Sequence, residues 1–368
     1  MTATRTIDTA AQDSAALPSA RVPYHAIPDD KAMMRAAAEL TRDIAEARPG
    51  IYWPDMLASA LVGYTMLAGA ILADNGWLAL ACGVISVLAL YRALLFIHEI
   101  SHLHRDALPG FRTAWNAIVG VPMLTPSFMY ENVHTLHHAR TKYGTIEDPE
   151  YLPLASMKPW TLPVFLLIAG LAPIGLLIRF GILAPLGAVF PKIRTMNWER
   201  FSALAINPEF RRRPETGNAK RRFFWQETAA SIWAVVLLLS PAFIGWRPLL
   251  VAVAVTSAVA IFNQLRTLVA HLWENDEGEA MTVTAQYLDS VNVPPPSPLA
   301  GLWAPVGLRY HALHHLIPSM PYHSLGEAHR RLREHLEPQT TFHQASHKGM
   351  FFLVGKIVRG SRARRLAR

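Results

Sequence analysis

Residues 56–102 read MLASALVGYTMLAGAILA, DNG, WLALACGVISVLALYRALLFI and HEISH: two apolar runs, a three-residue polar turn between them, and paired histidines where the second run ends. Met56–Ala73 contains no charge and Trp77–Ile97 contains one, Arg92. Each run approaches the ~20 residues that span a hydrocarbon core as helix. The pattern predicts a tight transmembrane hairpin, and the chain repeats it: Thr228–Trp246 is uncharged, and Leu249–Ala270 follows across Pro248 with Arg266 near its end.

Composition agrees with a bilayer protein. Of 368 residues, 51% are hydrophobic and 17% charged, against the ~25% charge of soluble domains. The single cysteine, Cys82, excludes a disulfide framework and a Cys-ligated iron-sulfur cluster. Trp160–Phe190 is apolar but interrupted by Pro163, Pro173 and Pro185. It is too short for two spans, and a single crossing would separate the histidine-rich segments on either side of it. A re-entrant or interfacial hairpin is therefore expected.

The fold expected is an all-α, multi-pass membrane bundle of about four transmembrane helices plus that hairpin, with a histidine-rich helical cap. Lys192, Arg194, Arg200, Arg211, Arg212, Arg213, Lys220, Arg221 and Arg222 crowd one loop, while the two hairpin tips hold only Arg247. The positive-inside rule puts that loop, both termini and the histidines on the cytoplasmic side. Residues 1–53 lack the apolar core of a secretory signal and read as a polar cytosolic arm. Residues 54–320 form the membrane unit and 321–368 a basic cytosolic tail. Met350–Val358 with the arginines of 359–368 suits a lipid-surface anchor or a solvated tail. Four spans and the lack of an interleaved RNA-binding motif argue against nucleic acid.

Sixteen histidines are present, and eight of them cluster: His98 and His102 in HEISH, His134, His137 and His138 in HTLHH, and His311, His314 and His315 in HALHH. His271 follows the last span in AHLWEN. Residues three and four apart share a helix face, so each cluster aims imidazoles at a common point. These nine exceed the roughly four to six donors of one transition metal and predict two metals. Imidazole alone does not choose among iron, copper, zinc and nickel. An all-nitrogen site beside hydrocarbon suggests redox chemistry on an apolar substrate. Glu99, Glu147, Asp148 and Glu150 lie next to these clusters, where they could accept the second N–H of ligand imidazoles or simply be solvated charge. His104 reads as structural or supporting, and His25, His323, His329, His335, His343 and His347 as ordinary polar residues.

HEISH, HTLHH and HALHH, in this order with two spans before the first and two before the last, resemble the three histidine boxes of the membrane fatty-acid desaturase and hydroxylase superfamily. The match runs from about Asp55 to His315. His98/His102, His134/His137/His138 and His311/His314/His315 fit the boxes position by position, His271 resembles the additional ligand many members place after the last span, and TIEDP at Thr145–Pro149 resembles the acidic segment trailing the second box. The resemblance implies a non-haem diiron centre that uses O2 on an unactivated C–H bond of a fatty acyl chain in the membrane. Electrons must come from a separate ferredoxin-type or haem protein with its reductase, since neither is fused here.

Fatty-acid desaturation is the leading expectation. Hydroxylation and oxidative decarboxylation of a free acid to a terminal alkene begin with the same hydrogen abstraction. A decarboxylase would need a cation near the metals, for which Arg266 and Arg309 are candidates, although both also suit membrane-edge anchors. Pro-rich Val293–Pro298 precedes the third box as a rigid insert or a plain loop. A remote alternative is a zinc metalloprotease, because HEISH also satisfies HExxH with Glu99 as base. A metal transporter would place its ligands within the spans rather than at one face.

Overall fold

The structure, a computed structural model, describes residues 22–366 except Arg105 and Pro298, with side chains to Ser361. The first 21 residues of the expected arm and most side chains of the arginine-rich tail lie outside the described residues. Among the described residues the chain is helical, and its only β pairing consists of isolated bridges. The elements that position the site are α1 (Lys31–Leu40), α2 (Pro49–Leu72), α3 (Gly76–His102), α4 (His134–His137), α5 (Thr161–Val189), α6 (Pro191–Phe201), α7 (Gly217–Ile244), α8 (Trp246–Leu268), α9 (Val283–Asp289), α10 (His311–Leu316), α11 (Leu325–His335) and α12 (Met350–Leu366).

Five helices, α2, α3, α5, α7 and α8, are long and apolar enough to cross a membrane. Their outer faces expose Leu61, Leu72, Trp77, Leu167, Leu171 and Phe243, as expected of a bundle solvated by lipid rather than water. The α2–α3 hairpin closes on Asn75, whose side chain accepts from the Leu78 amide at 3.0 Å and caps α3. Its helices approach closely at Gly63: a Cβ there would lie 2.6 Å from Leu90 Cδ2, and the Gly63 carbonyl takes the Ser86 hydroxyl at 2.9 Å. Arg92, the one charge of the second run, is held by Asp55 through Nε at 2.7 Å and Nη2 at 2.5 Å. Tyr322 donates to the same carboxylate at 2.6 Å and ties the hairpin to the cap. Arg247, at the other hairpin tip, donates to the Ala73 carbonyl, so both tips lie together at the end of the bundle away from the histidines.

The expectation for Trp160–Phe190 requires a correction. This stretch does not fold back within itself; α5 occupies almost all of it as one helix of 29 residues. Pro163 falls in its first turn, where no intrahelical donor is lost, and a π turn at Arg179–Leu183 precedes Pro185 and absorbs the ladder break. The return limb is the polar α6, turned at Phe190–Pro191 and packed on α5 where a Cβ on Gly187 would meet Arg194 Cα at 3.3 Å. Both ends of this hairpin sit at the cap: Tyr151 Oη accepts from the Asn275 amide at 3.1 Å, and the Leu204 and Ile206 amides donate to Met129 and Pro149 carbonyls at 2.8 and 2.9 Å. An 11-residue helix carrying Lys192, Arg194, Glu199 and Arg200 covers only ~16 Å and cannot recross ~30 Å of hydrocarbon. The cap contacts at both ends of α5–α6, not a second crossing, keep the histidine segments on either side of it together.

The cap is built on α9, α10 and α11. Leu313, Leu325, Leu332 and Phe342 form an apolar cluster that also receives Met33, Ala36 and Ala37 of α1. In α12, Leu353 and Ile357 are buried while Phe351 is exposed.

Candidate metal centre

All nine histidines singled out in the sequence meet at the junction of bundle and cap. They fall into two groups whose ligand atoms lie within 4.8 Å of one another: His98, His102, His134, His138 and His314 in one, and His137, His271, His311 and His315 in the other. Helix geometry explains the division. In α4 and its last turn, His134 and His138 are four apart and share a face, while His137 points to the other group. In α10 the pattern reverses: His311 and His315 share a face and His314 crosses over. The α3 pair completes the first group, and His271, just past α8, completes the second.

The imidazoles converge through Nε2. His314 Nε2 lies 3.1 Å from both His102 Nε2 and His138 Nε2, and His138 Nε2 lies 3.1 Å from His134 Nε2. In the other group His311 Nε2 is 3.1 Å from His271 Nε2 and 3.3 Å from His315 Nε2. Two nitrogens each about 2.1 Å from one ion and at right angles to it would be about 3 Å apart, so these spacings suit shared metal coordination. His98 is buried with neither ring nitrogen hydrogen-bonded, an unfavourable state that a metal bond would relieve. Burial holds His134, His138, His271, His311, His314 and His315 well below the ordinary imidazole pKa, keeping them neutral donors. His137 is the exception: burial lowers it, but the Asp148 carboxylate prevails and raises it.

Carboxylates and hydroxyls orient these rings from behind. His137 Nδ1 lies 3.0 Å from Asp148, whose oxygens also accept the Gly144 and Glu150 amides at 2.9 and 2.8 Å. Gly144 makes this turn at φ 73°, and a Cβ there would meet Asn275 Nδ2 at 2.7 Å. His134 Nδ1 lies 2.8 Å from Glu150, which also accepts from Tyr130 at 2.9 Å, and the Tyr130 ring stacks on His134. Burial, reinforced by the neighbouring Asp148 charge, pushes Glu150 up to about 7. Tyr143 donates to Asp289 at 3.0 Å, and its oxygen faces His271 Nδ1 at 2.8 Å, where it can accept only if that nitrogen carries the proton. Each such contact leaves Nε2 unprotonated toward the centre.

The remaining expectations divide cleanly. Asp148 and Glu150 reach histidines, whereas Glu147 pairs with Lys142 at the surface. Glu99 is buried but engaged elsewhere: Tyr52 donates to it at 2.5 Å and the Tyr322 amide at 3.0 Å, with its other oxygen 3.7 Å from His98 Nδ1. A protease base would need that carboxylate free at the metal. His104 is exposed beside Asp106. Arg309 is used to hold the Pro-rich loop, donating to the Val293 and Ser297 carbonyls at 2.8 and 3.3 Å. Arg266 is buried one turn before His271, with Nε unpartnered. Tyr130, Tyr143, Asp289 and Ser290 escaped sequence reasoning. Tyr130 stands at helical spacing before His134, but Asp289 carries no local signal at all.

A helical membrane bundle capped by two buried polyhistidine groups defines a membrane oxidoreductase, and the fatty acid desaturase family profile matches residues 75–346. The chain belongs to that family. It is 45% identical over 332 residues to a ceramide hydroxylase of Caulobacter vibrioides (strain NA1000 / CB15N), covering 90% of this chain and 94% of that protein.

Proposed function

We propose that this protein is a diiron, O2-dependent hydroxylase of a lipid alkyl chain, with a ceramide-type lipid as its substrate. The observation that supports this reading best is the alignment, nearly end to end at 45% identity, with a ceramide hydroxylase. Desaturation, the leading expectation from the boxes alone, becomes the second reading, because the same centre and the same first step serve both. Decarboxylation of a free acid has only Arg266 in its favour, since Arg309 is already engaged.

The nine histidines are the proposed iron ligands, five in one group and four in the other. Bound iron would supply O2 activation toward an alkyl C–H bond, which has no acidity for acid-base groups to exploit. Asp148, Glu150 and the Asp289–Tyr143 pair hold the Nδ1 sides of His137, His134 and His271, which turns the Nε2 lone pairs of these three rings inward. The apolar packing around the cap excludes bulk water. In the net reaction one oxygen atom enters the C–H bond as hydroxyl and the other leaves as water, using two electrons and two protons from a separate donor protein. The basic loop at 192–222 argues that the cap faces the cytoplasm, where such donors reside.

Lipid mass spectrometry of expressing cells under 18O2 tests the reading. Hydroxylation adds one labelled oxygen to the product, whereas desaturation removes two hydrogens and adds no label. Unlabelled, unsaturated ceramide as sole product would sink the hydroxylase proposal while sparing the centre.

A further inference from the structure

A cleft of about 510 Å³ opens where the end of α5, the return helix α6 and the first turns of α7 diverge. It belongs to no part of the histidine centre. No histidine is among its lining residues, and Phe223, which borders it, packs on Trp198 and on Phe128 with ring centroids 4.0 and 4.1 Å apart. Its volume is that of a small-molecule site.

The lining has three components that fit one kind of ligand. Arg194, Lys220 and Arg221 border the cleft, and none makes an ion pair among the described residues. Glu227, the one acid in the lining, is taken by Arg179 at 2.5 Å. Two polar atoms of lining residues are buried and unpartnered: the Asn197 Oδ1 acceptor, on a side chain 3% exposed, and the Trp198 Nε1 donor. Asn197 is oriented by its own amide, which donates to the Leu183 carbonyl at 2.7 Å, so Oδ1 is the atom left over. The third component is apolar: Ala184, Ala188, Phe224 and Ile232, next to the exposed Trp225 and Phe190 on the lipid-facing flank.

We propose that this cleft binds an anionic glycerophospholipid with a hydroxyl-bearing headgroup. The three cations and the Trp198 N–H take the phosphate oxygens, Asn197 Oδ1 accepts the headgroup hydroxyl, and an acyl chain lies along the α5–α7 groove. Unpaired cations at the membrane edge attract anionic lipid generally. The buried acceptor and donor distinguish this cleft from a merely basic surface, because both gain a partner that water-excluded protein does not provide.

The test uses the full chain in phosphatidylcholine nanodiscs containing phosphatidylglycerol, read by native mass spectrometry after delipidation. One phosphatidylglycerol should be retained per chain. The R194Q/K220Q/R221Q variant should lower retention about tenfold or more, and Ala188→Phe, which fills the cleft from an exposed position, should lower it with the charges intact. Equal retention of phosphatidylcholine, or undiminished phosphatidylglycerol in both variants, overturns the proposal. So does saturation by inorganic phosphate alone, which marks a free-anion site, or preferential retention of ceramide, which marks a substrate groove.

Discussion

His138 and His314 are 176 positions apart in sequence, on helices of different origin, yet their Nε2 atoms lie 3.1 Å apart. No contact within either helix brings them together. Two like, neutral acceptors this close repel unless something positive lies between them, which makes this pair a sensitive point for the metal proposal.

His314→Ala should remove a donor from the five-membered group and His137→Ala one from the four-membered group. Elemental analysis of the purified protein should fall from two irons per chain toward one in either variant, with hydroxylation abolished and membrane insertion unchanged. Full iron content and turnover in both would remove these residues from the ligand set.

Asp148→Asn keeps the shape of the side chain but weakens its hold on His137 and on the Gly144 amide. Loss of such a supporting carboxylate typically lowers metal affinity or activity by about 10–100-fold. Asp289→Asn should act similarly on His271 through Tyr143, despite touching no imidazole itself. Iron titration against a competing chelator would measure both, and wild-type affinity in Asp289→Asn would break the proposed chain of contacts.

The Asp55–Arg92 pair predicts an asymmetric stability response. Arg92→Gln leaves Asp55 partnered by Tyr322 and Ser59, whereas Asp55→Asn leaves a guanidinium among apolar helices with a poorer acceptor. Each single change should destabilise by about 1–3 kcal/mol, with Asp55→Asn the worse, and the double variant should recover part of the loss. Thermal unfolding in detergent reads this directly, and strictly additive losses would argue against coupling.

Acid should loosen the cap through His329. Burial first, then the nearby cations, lower it to about 4, against about 6.5 in an unfolded chain. Between these values the unfolded state holds the extra proton. Its neutral-state contribution is therefore complete above about pH 6.5 and is lost as pH falls toward 4. Each unit is worth about 1.4 kcal/mol. His329→Gln should flatten the acid limb of the melting temperature, and an unchanged pH profile would remove His329 from the account.

Much of this was legible in the chain. Stretches of spanning length with at most one charge announce α2, α3, α7 and α8 because lipid admits no unsatisfied backbone, and histidines four apart announce shared faces because the helix repeats every 3.6 residues. Less was legible for α5: its prolines signalled a break, but Pro163 falls in the first turn, a π turn precedes Pro185 and Pro173 is carried inside the helix, and the fold-back occurred one residue beyond the apolar run, where α6 is too polar to look like a partner.

What the sequence determined by itself was therefore local: which segments are helices in lipid, which imidazoles share a helix face, and which acids trail the second cluster. The distribution of the nine imidazoles between two groups, the Asp289–Tyr143 support behind His271, the diversion of Glu99 to Tyr52 and the pairing of Arg92 with Asp55 were decided only by tertiary packing. Each depends on how separate helices cross and rotate against one another, and no spacing along one chain segment encodes that.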